Sequence, residues 1–182
     1  GIGKDMAVIF AKEGAKVVVS ARTEKEGDFR IPGSVEKTLN MIREAGGTAI
    51  GIKCDVANEE EVAELLRRTN DEFGRIDILV NNAAILIPGT IEAMQVRHWD
   101  LLYRVNIRGP FLGCKAAIPY MKAQGYGHII NISSRGAIGP GPGPYPAGER
   151  TGGTSYGACK AHIERFSQGL AYELAPYGIA VN

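Results

Sequence analysis

The chain has 182 residues, 45% hydrophobic and 23% charged, the size and balance of one globular domain with its own core, which excludes a disordered chain. Its 21 Lys and Arg against 20 Asp and Glu leave a net charge of +1, so it has no general attraction to nucleic acid or to an anionic membrane, and any anion it binds is held at a local site. No apolar run approaches the roughly 20 residues that cross a bilayer. Cys54, Cys114 and Cys159 match neither a CxxC pair nor a zinc spacing, which points to reduced core thiols and a cytoplasmic protein.

Met6, Ile9 and Phe10 recur at helical spacing before Gly14, and Lys16-Val17-Val18-Val19-Ser20-Ala21 follows as a short β-branched run, so the chain is expected to open helix, turn, buried strand. Beyond Ile31-Pro32-Gly33-Ser34, Val35, Leu39 and Ile42 share one face of a helix that stops at Gly46-Gly47. Ile50, Ile52 and Cys54 alternate as a strand. Asn58 with Glu61 then forms an expected capping box ahead of the stripe Val62, Leu65, Leu66, Thr69 and Phe73. Residues 76–81 read as a buried strand, residues 98–122 as a long helix interrupted by Gly109-Pro110 and Pro119, and residues 129–132 as the next strand. Residues 139–153, rich in Gly and Pro, are incompatible with regular structure; residues 156–177 resume a helical pattern, and the last four residues begin a further strand.

Short apolar strands alternating with helices predict an α/β fold, a doubly wound parallel sheet of Rossmann type, in one domain over residues 1–182. Ligands of such sheets lie beyond the carboxyl ends of the strands. The chain starts at Gly1 and ends just past Ile179-Ala180-Val181, so the sheet is expected to be incomplete at both ends.

Several motifs fall at those strand ends. Gly1-Ile2-Gly3, opening a helix, suits a phosphate-binding turn in which bare backbone amides approach a pyrophosphate, although Gly-x-Gly is also common in loops. About 20 residues on, where an acidic residue would read the ribose of NAD, stand Ala21 and Arg22. A guanidinium there pairs with a 2′-phosphate that a carboxylate would repel, which makes NADP(H) the preferred cofactor and NAD(H) the second choice; the plain alternative is that Arg22 is an ordinary solvated charge. Asp55-Val56 and Asn81-Asn82-Ala83-Ala84 each close a strand, where they serve either a flat ligand or simply the turn. Tyr156 and Lys160 are spaced i, i+4, so a phenol and an ammonium share one helical face, although a Tyr-x-x-x-Lys pair alone is more often an ordinary helix-surface pair. A free tyrosine titrates near 10, and bringing one toward neutrality takes roughly 4 kcal/mol of phenolate stabilisation, much of which a neighbouring ammonium supplies. His98, His128 and His162 show no ligand spacing, and no metal is assigned.

Taken in order, Gly1-Ile2-Gly3, Asp55-Val56, Asn81-Asn82-Ala83-Ala84, Asn106, Ser133-Ser134 and Tyr156-Gly157-Ala158-Cys159-Lys160 resemble the short-chain dehydrogenase/reductase family over essentially the whole chain. The resemblance implies an oxidoreductase that moves a hydride between a nicotinamide ring and the carbon of a small alcohol or carbonyl substrate. It implies Tyr156 as general acid/base, Lys160 beside it on the nicotinamide ribose, Ser134 on the substrate oxygen, and Asn106 holding a water that relays protons from Lys160. Gly1, Ile2 and Gly3 would face the pyrophosphate, Asp55 and Val56 the adenine, and Asn82 and Ala83 the adenosine-side ribose. A homodimer or homotetramer through the helices of residues 98–122 and 156–177 is the family's habit. A non-catalytic dinucleotide-binding subunit or sensor on the same fold is the alternative, disfavoured by the complete Asn-Ser-Tyr-Lys set.

The chain departs from the family pattern in three places. The strand and Thr-Gly that would precede Gly1 are absent, as are the elements beyond Asn182, so this segment alone is expected to be poorly stable and inactive. Ala84 replaces the usual glycine. Residues 139–153 form a longer stretch than the family carries, read as a substrate-side flap in preference to a surface insertion. The Arg30-Ile31-Pro32-Gly33-Ser34 insertion resembles a subgroup that includes bacterial oxidoreductases and hydroxysteroid-dehydrogenase-like proteins.

Overall fold

The computed structural model of the chain describes residues 1–25, 33–139 and 153–182. Residues 26–32, which hold most of the Arg30-Ile31-Pro32-Gly33-Ser34 insertion, and residues 140–152 of the Gly- and Pro-rich stretch lie outside the described residues. Chain contacts divide into two units, Gly1–Ile76 and Asp77–Asn182, each with its own parallel sheet.

The first unit runs α1 (Ile2–Lys12), β1 (Lys16–Ala21), α2 (Val35–Glu44), β2 (Thr48–Lys53) and α3 (Glu59–Phe73). β1 and β2 are parallel, Lys16 opposite Thr48 and Ala21 opposite Lys53, a pairing that requires a crossover rather than a tight turn. The helix of that crossover is capped by Ser34, whose extended backbone lets its hydroxyl accept from the Lys37 N–H at 3.1 Å. Val35, Thr38 and Ile42 then form the buried stripe of α2. Gly51 leaves room for it on β2, since a Cβ there would stand 2.5 Å from Val35 Cγ1. The stripe of α3 turns inward as expected, and the helix stops at Gly74, whose φ of 75° favours glycine.

Two expectations are corrected in this unit. Asn58 does cap α3, accepting from the Glu61 N–H at 3.1 Å, but Glu61 does not close the box on Asn58. Its carboxylate takes the Asp55 N–H at 2.8 Å instead, because Asp55 accepts from the Ala57 N–H at 3.0 Å and that turn carries the Asp55 amide to the helix start. β1, read as a buried strand, keeps Val17, Val18 and Val19 only half-buried, because it is bonded to β2 along one edge of a two-stranded sheet.

The second unit runs β3 (Ile78–Asn81), α4 (Val96–Tyr103), a π-helical segment (Arg104–Arg108), α5 (Gly109–Gln124), β4 (Gly127–Asn131), a 3-10 turn (Arg135–Ala137), α6 (Thr154–Leu174), a second 3-10 turn (Ala175–Tyr177) and β5 (Ile179–Val181). All three strands are parallel, with β4 in the centre and its Ile129 fully buried. α5 packs on β3 and β4, and α6 on β4 and β5. Gly127 opens β4 against the buried Met121, where a Cβ would stand 2.5 Å from Sδ.

The long helix of residues 98–122 is interrupted elsewhere than expected. Gly109-Pro110 starts α5 rather than breaking a helix, since a proline in a first turn forfeits an N–H that has no α-helical partner there, and Pro119 lies inside α5. The irregularity is the π segment just before, where the Gly109 N–H reaches back five residues to the Arg104 carbonyl. β3 begins at Ile78 rather than 76, and β4 spans Gly127–Asn131 rather than 129–132. The Ile132 N–H still bonds the Asn81 carbonyl at 3.1 Å, one residue past the ladder.

Candidate active site

The carboxyl end of β4 is where the chemistry of the second unit gathers. α6 brings Tyr156 and Lys160 to one face, one turn apart, and the Lys160 ammonium lies 5.7 Å from the centroid of the Tyr156 ring. Lys160 is 4% exposed, and its Nζ donates to the Ile132 carbonyl at 2.6 Å, immediately after β4. Burial pushes the lysine below its ordinary range, with the neighbouring Cys159 opposing in part.

Ser134 heads the 3-10 turn after β4, and its Oγ accepts from the Gly136 N–H at 3.1 Å. A hydroxyl that accepts in this way keeps its own proton for another acceptor. One glycine lets the turn touch α6: a Cβ on Gly157 would stand 2.5 Å from the Gly136 carbonyl oxygen, while one on Gly136 would make an ordinary contact at 3.7 Å with Tyr156 Cδ1. Ser134, Tyr156 and Lys160 thus lie near one another.

Asn106 sits in the π segment, 1% exposed. Its Oδ1 accepts from the Ile85 N–H and its Nδ2 donates to the Ile85 carbonyl, both at 2.9 Å, so one side chain clamps the segment that follows Asn82-Ala83-Ala84. Asn82 donates its N–H to the Val80 carbonyl at 3.1 Å, closing a tight turn beyond β3, with Ala83 and Ala84 exposed after it.

A second polar chain escaped sequence reasoning. Asn81 Nδ2 donates to Asn131 Oδ1 at 2.8 Å across the β3–β4 register, Asn131 Nδ2 donates to Ser167 Oγ at 2.9 Å, and Ser167 donates to the Ile163 carbonyl at 2.8 Å. It ties the ends of two strands to α6. Ser133 Oγ likewise donates to Glu164 Oε1 at 2.6 Å. Only the strand register reveals the first link, but the i+4 step from Lys160 to Glu164 was a visible signal for the second.

In the first unit, α1 starts at Gly1 with no side-chain cap, so its first amides carry the partial positive charge of a helix start without an internal acceptor side chain. The short connection of residues 13–15 turns the chain from α1 back along β1, which puts Gly1, Ile2 and Gly3 at the same end as Arg22. Asp55 and Val56 follow the end of β2, held level with β1 by the Cys54 N–H on the Ala21 carbonyl at 3.1 Å. The Asp55 carboxylate already serves its own turn through Ala57. Arg22 is exposed directly after β1.

The three cysteines are buried free thiols, as expected. Burial raises Cys54 to about 11 and Cys114 to about 12. Among the described residues no group of three or more His, Cys, Asp or Glu is placed to hold a metal ion, and no helix is long and apolar enough to cross a membrane.

Parallel strands alternating with helices, with a serine turn, a tyrosine and a buried lysine near the carboxyl end of a central strand, define a Rossmann-type α/β class. The family model described as short chain dehydrogenase matches residues 1–182, and the chain belongs to that family. An uncharacterized oxidoreductase of Thermotoga maritima is 39% identical over 183 residues, covering 100% of this chain and 65% of the relative. A metagenomic short-chain oxidoreductase solved in complex with NADP superposes with a TM-score of 0.82 at 32% identity, covering 98% of this chain and 74% of that one. A NAD+-bound xylitol dehydrogenase superposes with a TM-score of 0.84 at 29% identity, covering 100% of this chain and 64% of that one. The chain therefore spans about two thirds of the length of relatives such as the Thermotoga protein.

Proposed function

We propose that residues 1–182 act as a single nucleotide-binding domain of an oxidoreductase that transfers a hydride between NADP(H) and a small alcohol or carbonyl substrate, with Tyr156 as general acid/base. The observation that carries this reading is the buried Lys160 ammonium, fixed on the Ile132 carbonyl at 2.6 Å and set 5.7 Å from the Tyr156 ring centroid, with the Ser134 turn packed on the same helix. A lysine buried on an isolated carbonyl is costly unless its charge serves something.

Each unit by itself offers groups of the kind a dinucleotide needs. The uncapped start of α1 at Gly1, Ile2 and Gly3 offers amides to a pyrophosphate, Arg22 offers a guanidinium to a 2′-phosphate, and Asp55 and Val56 border an adenine. In the second unit, Asn82 and Ala83 border the adenosine-side ribose, and Tyr156 and Lys160 take the nicotinamide ribose. The bound cofactor supplies the hydride.

In the direction of reduction, the Tyr156 hydroxyl gives its proton to the substrate oxygen, while Ser134, already accepting from Gly136, donates its own O–H to the same oxygen. Lys160 spends one N–H on Ile132 and has two left, for the tyrosine side and for the ribose. Asn106, whose side chain is committed to Ile85, holds the water that relays protons from Lys160. The relative bound to NADP and the one bound to NAD+ make both nucleotides chemically reasonable; Arg22 favours the phosphorylated one. A cytoplasmic homodimer or homotetramer formed through α4, α5 and α6, with no nucleic-acid or membrane partner, completes the reading.

The test is NADPH against NADH binding to the intact protein, followed by fluorescence, for the parent and Arg22→Ala. NADPH should bind more tightly, and Arg22→Ala should erase about tenfold or more of that preference, the worth of a charge-assisted hydrogen bond. Equal loss for both nucleotides would remove Arg22 from phosphate reading, and no binding of either would remove the cofactor assignment.

A further inference from the structure

One stripe of α6, at Gly157, Lys160, Glu164 and Ser167, meets consecutive points along the exit of β4. Ser167 takes the Asn131 amide, Lys160 the Ile132 carbonyl and Glu164 the Ser133 hydroxyl, while Gly157 abuts the Gly136 carbonyl. The steps of three, four and three residues are those of a single helical face. Three of these contacts are accounted for: Lys160 holds the reaction centre, Ser167 continues the buried amide chain, and Gly157 permits close approach. Glu164 is not. It is exposed on α6, yet its carboxylate is bound at 2.6 Å, the length of a charge-assisted O–H···O⁻ bond, by the residue directly before Ser134.

We propose that Glu164 is a positioning residue, which fixes the direction of the Ser134 hydroxyl by anchoring Ser133 to the helix that carries Tyr156 and Lys160. The inference rests on the reading of Ser134 as the hydroxyl that meets the substrate oxygen. Ser134 lies in a 3-10 turn of only three residues, held by the Gly136 N–H on Ser134 Oγ and the Ala137 N–H on the Ser134 carbonyl at 2.9 Å. Such a turn has little stiffness of its own. Lys160 fixes the backbone before Ser133, the glycine contact fixes the backbone after Ser134, and the Ser133–Glu164 bond is the side-chain tie between them.

The experiment compares the intact protein with Glu164→Ala, Ser133→Ala, the double variant and Glu164→Gln, reading amide exchange of Gly136 and Ala137 by NMR together with Tm. Exchange at these two amides should quicken about tenfold in both single variants, no further in the double variant, and return most of the way in Glu164→Gln, which keeps an acceptor. Unchanged exchange in Glu164→Ala, or a rise spread evenly over β4 and α6 with a general loss of Tm, would overturn the proposal, because either result makes the bond incidental or merely structural. In parallel, turnover of NADPH with diacetyl as carbonyl probe should show kcat falling about tenfold in the same variants while KM for NADPH holds. Parent-like kcat in Glu164→Ala would overturn the positioning role. A parent protein that binds no NADPH contradicts the oxidoreductase reading instead, and the exchange measurement then decides on the Ser133–Glu164 tie by itself.

Discussion

Replacing Asn106 with alanine removes both hydrogen bonds to the Ile85 peptide, each 2.9 Å long, from a side chain that is 1% exposed. Each such bond contributes about 1 kcal/mol net, and the Ile85 N–H and C=O left half-buried without partners add part of their desolvation cost. The sum is about 2–4 kcal/mol, a large share of the roughly 5–15 kcal/mol that holds a typical domain together. Urea unfolding of the intact protein should therefore show Asn106→Ala with a lower midpoint and an unchanged slope. Because the clamp grips the residues just beyond Asn82 and Ala83, NADPH affinity should fall in the same variant. Loss of less than about 1 kcal/mol with nucleotide affinity intact would refute the reasoning, since the clamp would then contribute neither stability nor placement.

The buried thiols predict an alkaline limb of stability. Cys54 and Cys114 are pushed from the ordinary thiol value up to about 11 and about 12, so they ionise more readily in the unfolded chain; their contribution is whole below pH 9 and is lost as pH rises toward those values. Lys160, pushed down by burial, works with the opposite sign, its contribution growing as pH rises toward its unfolded value of 10.5. Tm between pH 9 and 11 should fall less steeply in a Cys54→Ala/Cys114→Ala variant than in the parent, and parallel curves would contradict this. Gly127→Ala should cost about 1–3 kcal/mol by overpacking against Met121, visible as a lower urea midpoint; a neutral result would mean Met121 repacks freely.

Local signals were readable where the determinant is local. Asn58 announced the start of α3, and the apolar alternation around Ile52 announced β2. Helical spacing puts Tyr156 and Lys160 on one face of α6, whereas Ser134 is singled out only by the family resemblance, which also gives the pair its role. The π segment was not legible: Gly109-Pro110 looks like a break, and only the five-residue step from Gly109 to Arg104 reveals that the helix widens before the proline instead. The Asn106 grip on Ile85 and the Asn81–Asn131 bond join residues 21 and 50 positions apart, so they follow from strand register and tertiary approach rather than from any window of sequence. The half-burial of β1 depends on which edges are paired, and its Val17-Val18-Val19 run is apolar either way.

The most direct test of the central claim is Tyr156→Phe in the intact protein, with NADPH binding and NADPH-dependent turnover measured side by side on a carbonyl panel. The account predicts that NADPH binds within a few-fold of the parent while turnover falls about 10²–10⁴-fold, the share of a positioned acid/base group. Turnover that survives the loss of the hydroxyl would contradict it.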